Sequence, residues 1–140
     1  MTIFQRIVKF NQDRFLIKTP KDLNLKNESS FIVEELLEMN TDLKSDEANE
    51  KAKEIVWSFI SENYKPSSEQ IVDAAWDIIV FATWIITKAW YNPDIVMEEV
   101  LKEIESRRWS IIDWKFVKDK SEEAQKLWYK ADFSKAKICD

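Results

Sequence analysis

The sequence predicts an all-α fold, a bundle of four to six helices with no sheet of consequence. The chain of 140 residues has no glycine, whereas an average chain of this length has about ten. Because glycine is the usual residue of tight hairpins and left-handed helix caps, its absence favours helices. Apolar residues also recur at helical spacing along most of the chain. The three prolines, Pro20, Pro66 and Pro93, each lie where that pattern is interrupted.

Five helices are expected in chain order, and their ends follow from the apolar pattern and from capping residues. The predicted helices are Ile3–Phe15, Asn27–Met39, a third that begins at Ser45, Glu69–Tyr91 and a fifth that ends near Arg108. Ser45 and Ser67 are the expected caps of the third and fourth helices, because a serine side chain accepts hydrogen bonds from the free N–H groups of a first turn. Asn92 is expected to cap the fifth helix, with Pro93 at its first position.

From Trp109 onward the helical periodicity fades, so residues 109–140 are predicted to form a less regular C-terminal segment. One short helix is expected there, between Ser121 and Lys130. With 140 residues, the chain has the length of one domain. We therefore expect residues 1–140 to form a single domain with its own core.

Composition excludes several classes of site. The chain has no histidine, so a Ser-His-Asp triad, a Cys-His pair and a His-ligated zinc site are excluded. Without glycine, the P-loop, the dinucleotide-binding turn and the GxSxG elbow are excluded as well. The 21 basic and 26 acidic residues give a formal net charge of −5, which disfavours nucleic acid or an anionic membrane as the main partner.

The sequence also predicts a cytoplasmic protein without a membrane partner. The one cysteine, Cys139, cannot form an intramolecular disulfide, which fits a reducing compartment. No signal-type apolar core follows the N-terminus. The longest uncharged run, Ile78–Thr87, has about half of the roughly 20 residues that a membrane span needs. That run is predicted to be a buried helix.

The second predicted helix carries one acidic strip on an otherwise apolar surface. At about 100° per residue, Glu34 and Glu35 lie on either side of Glu38, within about one third of the circumference. The remaining surface is apolar and consists of Phe31, Ile32, Val33, Leu36, Leu37 and Met39. A helix of this kind is expected to be buried rather than to hold its carboxylates in water.

The fourth predicted helix has the same pattern. Between Ile71 and Thr87 its only charged residues are Asp73 and Asp77, at i and i+4 on one face. Two unpaired carboxylates in so apolar a helix would each cost several kcal/mol. If the two acidic strips face one another, a hard divalent cation such as Mg²⁺ or Mn²⁺ would remove both the repulsion and the desolvation cost.

The residues alone leave a second interpretation open. Glutamates on a helix ordinarily form a solvated face, and aspartate pairs also bond to backbone groups or to arginine. On that interpretation, the chain is a non-catalytic helical interaction module whose acidic faces bind a basic partner. The apolar surroundings of both strips together favour the metal site.

The two acidic motifs resemble those of a known superfamily. The segment Glu34–Glu38 (EELLE) followed by Asp73–Val80 (DAAWDIIV) is similar to the all-α nucleoside triphosphate pyrophosphohydrolases, which include MazG and phosphoribosyl-ATP pyrophosphohydrolase. The likeness is strongest to the short, phage-type members, in which Asp-x-x-x-Asp precedes apolar residues. Val8–Asn11 resembles the opening helix of that family, and Phe116–Asp119 with Lys126–Phe133 resembles its C-terminal segment.

The resemblance implies a MazG-like bundle and a Mg²⁺-dependent hydrolase, with Mn²⁺ as a substitute. In this superfamily, water attacks a (deoxy)nucleoside triphosphate between the α and β phosphates, which gives the monophosphate and pyrophosphate. Carried over to this chain, Glu35, Glu38, Asp73 and Asp77 would be metal ligands. Glu34 would either support the metal ligands from behind or act as a base that orients the attacking water.

The resemblance also implies where a substrate binds. Arg107 takes the place of a family lysine that contacts phosphate, although Ile104 stands where the family has asparagine. Asn11 is a candidate for reading a base edge. Phe81 and Trp84 extend the Asp73 face by one to two turns, where aromatic rings stack on bases. Further candidates for phosphate contact are Lys115, Lys118, Lys120 and Lys126.

A homodimer or homotetramer is expected. The fourth helix and the seven tryptophans offer more apolar surface than one small bundle buries. Within the enzyme class, the alternative is a related diphosphohydrolase that acts on phosphoribosyl-ATP or on a modified nucleotide.

Overall fold

Helices form most of the protein, whose structure is a computed structural model that describes residues 1–17, 19, 23–61, 63–113 and 115–138. The chain is 67% helical, so the prediction of an all-α fold is confirmed. In its described part, the helices are α1 (Ile3–Asp13), α2 (Leu25–Asn40), α3 (Ser45–Phe59), α4 (Ser68–Lys88), α5 (Pro93–Ser106) and α6 (Glu122–Leu127). A hairpin of β1 (Trp109–Ile112) and β2 (Lys115–Lys118) and a 3₁₀ helix, Phe133–Ala136, follow α5. Cys139 lies outside the described residues.

Two of the predicted helix caps are confirmed by their contacts. The side-chain oxygen of Asn92 accepts a hydrogen bond from the N–H of Asp94 at 2.9 Å, and Pro93 begins α5. The hydroxyl of Ser67 accepts from the N–H of Gln70 at 3.1 Å, at the start of α4. These bonds satisfy N–H groups that have no partner inside the helix.

The predicted cap of the third helix is wrong by one residue. Ser45 is already inside α3, and Lys44 is the capping residue. The backbone N–H of Lys44 donates to the Glu47 carboxylate at 3.1 Å. The Glu47 carboxylate thus accepts the N–H of the capping residue itself, whereas the Ser45 hydroxyl was expected to accept an N–H of the first turn.

The hairpin corrects the expectation that the chain is irregular after Trp109. Its strands are antiparallel, with Trp109 opposite Lys118 and Ile112 opposite Lys115. The absence of glycine does not prevent the turn, because Asp113 takes a left-handed conformation with a φ of 50°. Aspartate enters this region more readily than most residues, since its short side chain bonds locally.

Two helices end in the left-handed conformation on an aromatic residue. Phe15 follows α1 with a φ of 55°, and Trp90 follows α4 with a φ of 64°. Around Trp90 the bonds form a Schellman motif, in which Trp90 N–H donates to Thr87 O at 3.0 Å and Tyr91 N–H to Ile86 O at 3.2 Å. A residue with a Cβ atom costs about 1–2 kcal/mol in this conformation, which glycine avoids.

The chain divides into two units, Thr19–Gln70 (unit 2) and Met1–Lys18 with Ile71–Asp140 (unit 1). In unit 2, α2 packs on α3. Ala48, Ala52 and Val56 recur every four residues on α3 and are completely buried. Small side chains at a helix contact allow a short distance between the two helix axes.

In unit 1, a charged contact joins α1 to α5. The Arg6 guanidinium on α1 lies between Glu98 and Glu105 on α5, with N–O distances of 2.7 and 2.8 Å. Hydrogen bonds to Glu105 and Glu98 raise the pKa of Arg6, so its guanidinium stays protonated. Phe4 of α1 also contacts Trp76 of α4, with ring centroids 5.8 Å apart.

A buried carboxylate attaches the C-terminal segment to α5. Glu99 is only 3% exposed. It accepts hydrogen bonds from Lys102 Nζ at 2.6 Å, from the Tyr129 hydroxyl and from the Asp132 N–H at 3.1 Å. The same three donors lower the pKa of Glu99 to about 2, so it is ionised at neutral pH and holds the segment through charge-assisted bonds.

Helix α4 is exposed, and the prediction that its apolar run is buried is wrong for the single chain. None of the α4 residues is buried, and Val72 is 68% exposed. α2 was also predicted to be buried, yet Leu36 and Met39 are 47% and 55% exposed. A helix that is apolar on all sides needs a covering surface, and the described part of one chain does not supply it.

By length and composition alone, α4 could cross a membrane. Its most apolar 18-residue window has a mean hydropathy of 1.4. The uncharged run Ile78–Thr87 is shorter than the apolar helix, which extends over Ser68–Lys88. The core helix of a soluble protein meets the same criteria, so they assign no location to the chain.

We expect Trp90→Gly to be about 1 kcal/mol more stable than Trp90→Ala, because alanine keeps the Cβ atom that is crowded at positive φ. Urea unfolding followed by circular dichroism measures the difference. Ala82→Gly is the control inside α4, where glycine should lower stability by about 1 kcal/mol. Equal stabilities of the two Trp90 variants would show that this helix end is not strained.

Candidate functional site

α2 carries the three glutamates of the first acidic motif. Glu34 is half-buried, and its carboxylate accepts a hydrogen bond from the Asn49 side chain of α3 at 2.8 Å. Glu35 and Glu38 are exposed. None of the three forms an ion pair with another described residue. The described part of the chain therefore leaves their negative charges without a cation.

The environment of Glu35 disfavours its ionised form. Although the residue as a whole is exposed, partial desolvation of its carboxylate raises the pKa of Glu35, and the charges of Glu38 and Glu34 raise it further. Like charges one helical turn apart repel one another. A bound cation would relieve this repulsion.

The second acidic motif lies on α4. Asp73 and Asp77 are one turn apart, and both are exposed. The two acidic motifs belong to different units. Within the described residues, no group of three or more acidic or cysteine side chains is placed to hold a metal ion. That Glu35 and Glu38 share a metal with Asp73 and Asp77 stays a prediction.

The aromatic candidates for base contact form a pair on α4. The rings of Phe81 and Trp84 meet edge to face, with centroids 5.3 Å apart, and each residue is about half exposed, at 53% and 52%. The Lys88 ammonium lies 5.4 Å from the Trp84 ring centroid. Asn11 is half-buried on α1 in the same unit. Their role in binding a base stays a prediction.

Arg107 follows α5 and is held by the last turn of that helix. Its Nη2 donates to Glu103 at 2.6 Å, and its guanidinium lies 5.6 Å from the Trp128 ring centroid. The Nε atom is buried and has no hydrogen-bond partner in the described part of the chain. A buried donor without a partner costs about 1–3 kcal/mol, and an anionic ligand would offset that cost.

A cavity of about 760 Å³ lies between the end of α5 and the C-terminal segment. Its walls include Arg107 and Lys126, two of the residues considered for phosphate contact. Lys118 lines a different cavity, Lys120 is exposed, and the Lys115 side chain lies outside the described residues.

Arg14 is a charged residue that the sequence analysis missed. It is 7% exposed, and its guanidinium lies 3.5 Å from the Phe10 ring centroid. Burial lowers the pKa of Arg14, and the charges of Asp13 and Glu105 partly oppose this, but an arginine stays protonated in proteins. The contact with Phe10 could have been predicted from the sequence, because Phe10 lies four residues before Arg14. The contact with Trp109, whose ring centroid lies 5.2 Å from the guanidinium, could not, because Trp109 is distant in sequence.

In comparisons with known proteins, no family model, no curated protein and no solved structure matches the chain. The likeness of the two acidic motifs to the pyrophosphohydrolases therefore stays a resemblance.

We expect Glu35→Gln to raise the free energy of unfolding by about 0.5 kcal/mol at pH 7 in EDTA, because it removes a like-charge contact. Since folding raises the pKa of Glu35, its ionised form destabilises the protein above the folded pKa and has no effect below the unfolded value of 4.5. The gain should therefore vanish as the pH falls below that value. Urea unfolding at both pH values measures it.

Glu50→Gln, an exposed position on α3, is the matched control for this measurement. It should change stability little at either pH. A loss of stability in Glu35→Gln at pH 7 would mean that the Glu35 carboxylate has a stabilising partner and that the acidic cluster is compensated.

Proposed function

We propose that the protein is a Mg²⁺-dependent nucleoside triphosphate pyrophosphohydrolase that cleaves between the α and β phosphates. The observation that carries the proposal is the uncompensated glutamate cluster on α2. Glu34, Glu35 and Glu38 have no cationic partner among the described residues, and the pKa of Glu35 is raised by burial and by the other two. Carboxylate oxygens are the ligands that suit Mg²⁺ or Mn²⁺, so the donors are of the type that the metal prefers, although the described residues place no three of them around one point.

Each acidic residue has a proposed role. Glu35, Glu38, Asp73 and Asp77 would hold Mg²⁺, which when bound neutralises phosphate oxygens and lowers the pKa of water. Glu34, whose carboxylate is oriented by Asn49, would accept a hydrogen bond from the attacking water. The water oxygen bonds to the α phosphorus and the water passes a proton to the Glu34 carboxylate. The bond from that phosphorus to the bridging oxygen breaks, and pyrophosphate leaves.

The substrate is proposed to be a nucleotide rather than a nucleic acid. Phe81 and Trp84 offer exposed aromatic surface to a base, and Asn11 offers an amide to its edge. No histidine, cysteine or glycine-rich loop is required by this chemistry, which is consistent with the composition.

We expect the wild-type protein with Mg²⁺ to convert a nucleoside triphosphate into monophosphate and pyrophosphate in equal amounts. Asp77→Asn should lower turnover by more than about 100-fold, a larger loss than removal of an outer contact to a metal ligand causes. The measurement is a screen of ribo- and deoxynucleotides with chromatographic detection of products. Orthophosphate with a nucleoside diphosphate would exclude the proposed cleavage site.

Thermal melts distinguish a metal site from a protein-binding surface. Wild type should melt at higher temperature with Mg²⁺ than with EDTA, since a ligand of the folded state stabilises it. The melting temperature of Asp77→Asn should rise less on addition of Mg²⁺. That of Glu123→Gln, a substitution at an exposed position on α6, should rise as much as that of wild type. A wild-type melting temperature that does not change with Mg²⁺ or Mn²⁺, together with no turnover, would favour the interaction module with a basic partner.

We also propose a homo-oligomer, and the accessible surface supports it. The single chain exposes 11,173 Å². Two separate folded proteins of the sizes of unit 1 and unit 2 would together expose about 9,100 Å². This reference value assumes no contact between the units, so the larger area of the chain does not depend on how the units are placed. An excess of about 2,000 Å² per chain is of the size that obligate dimers bury. The exposed apolar residues of α4 are the natural contact.

We expect Val72→Glu to convert the assembly into monomers, because Val72 is 68% exposed in the single chain and a buried, unpaired carboxylate would be costly at an interface. Leu127→Glu is the control, since Leu127 is 61% exposed on α6 and lies outside the proposed contact. Light scattering coupled to size-exclusion chromatography measures the mass. A monomeric wild type would contradict this proposal.

A further inference from the structure

A cavity of about 220 Å³ in unit 1 is lined by cations and apolar side chains. The residues along its walls are Phe10, Arg14, Leu16, Ile104, Arg107 and Lys118. Three of these lining residues are basic, and none of the described ones is acidic. Three basic side chains along one cavity make it a candidate site for an anionic ligand.

Arg14 is the most deeply buried of the three cations. Apart from stacking on Phe10, its guanidinium donates from Nη1 to the carbonyl oxygen of Phe10 at 3.3 Å. No described carboxylate forms an ion pair with it, and Asp13 and Glu105 act on it only through longer-range attraction. A guanidinium has five N–H donors, so most of them are not used by the described part of the chain.

Arg107 and Lys118 bring further positive charge to the same cavity. Arg107 is bound to Glu103 through Nη2, whereas its Nε is buried and lacks a partner among the described residues. Lys118 is the last residue of β2. Because the three cations come from the end of α1, the end of α5 and the hairpin, the tertiary fold assembles them.

We propose that this cavity binds a phosphoryl anion through Arg14, with Arg107 and Lys118 as further contacts. A planar guanidinium matches two phosphate oxygens, and charge-assisted bonds of this kind are strong. The anion would also offset the cost of burying Arg14 without a carboxylate. The ligand is a phosphate or pyrophosphate group, either free or on a nucleotide. This proposal does not require the hydrolase activity, because it rests on the cations and not on the acidic motifs.

Isothermal titration calorimetry of the full chain with inorganic pyrophosphate, in EDTA and at constant ionic strength, tests the proposal. Wild type should bind pyrophosphate, and Arg14→Gln should bind it at least about 10-fold more weakly. Arg108→Gln is the matched control, since Arg108 is the exposed neighbour of Arg107, and it should bind as wild type does. Lys118→Gln leaves the packing of Arg14 intact, and it too should weaken binding.

A second titration with dATP in the same buffer separates the two sources of the anion. If dATP also binds and Arg14→Gln weakens the binding of both ligands, the cavity binds the phosphate chain of a nucleotide. Binding of pyrophosphate alone assigns it to the free anion. The proposal is wrong if wild type binds neither ligand, or if Lys118→Gln and a folded Arg14→Gln keep wild-type affinity. Turnover of dATP with Mg²⁺ but no such binding would leave the proposed function standing without this site.

Discussion

Glu99 is a buried carboxylate near the middle of α5, and the position of the C-terminal segment depends on the donors that converge on it. Lys102 comes from the same helix, whereas Tyr129 and the backbone of Asp132 come from the segment itself. One turn later, Glu103 accepts hydrogen bonds from the N–H of Ala131 at 3.0 Å and from the guanidinium of Arg107. Two ionised side chains on one helix thus determine both the path of the C-terminal segment and the orientation of Arg107.

Charge is distributed unevenly between the candidate sites. The glutamates on α2 form a local excess of negative charge, while Arg14, Arg107 and Lys118 line a cavity with no described acidic wall. A nucleotide bound with a metal ion presents both signs of charge, since its phosphates attract arginine and its metal attracts carboxylates. A chain that acts on such a ligand would need both kinds of site.

The sequence predicted features that depend on neighbouring residues, and it failed where distant residues decide. Helical spacing was enough to place Glu34, Glu35 and Glu38 on one side of α2, and local capping was enough to find the start of α5 at Asn92. The turn of the hairpin was missed because Asp113 adopts a backbone conformation that composition alone assigns to glycine. Whether the two acidic motifs share a metal depends on the placement of whole helices, which spacing along one helix does not determine.

Burial was the least predictable property. An apolar pattern indicates that a helix needs a partner but does not show that the partner belongs to the same chain, as the exposed α4 illustrates. The reverse error concerns Arg14, because a cation at a helix end is usually solvated and only the tertiary contact with Trp109 shows that it is covered. Both errors have one cause, since burial is decided by surfaces that meet only after folding.

The small core of unit 2 has a consequence for how the acidic helix behaves. Its buried apolar side chains, among the described residues, are the two alanines and one valine of α3. Such small groups remove little apolar surface from water, so we expect the backbone amides of α2 and α3 to open at low free-energy cost. A ligand that binds only the folded form of α2 adds its binding free energy to that local stability. Hydrogen exchange in this helix pair would then slow in proportion to how fully the acidic motif is occupied.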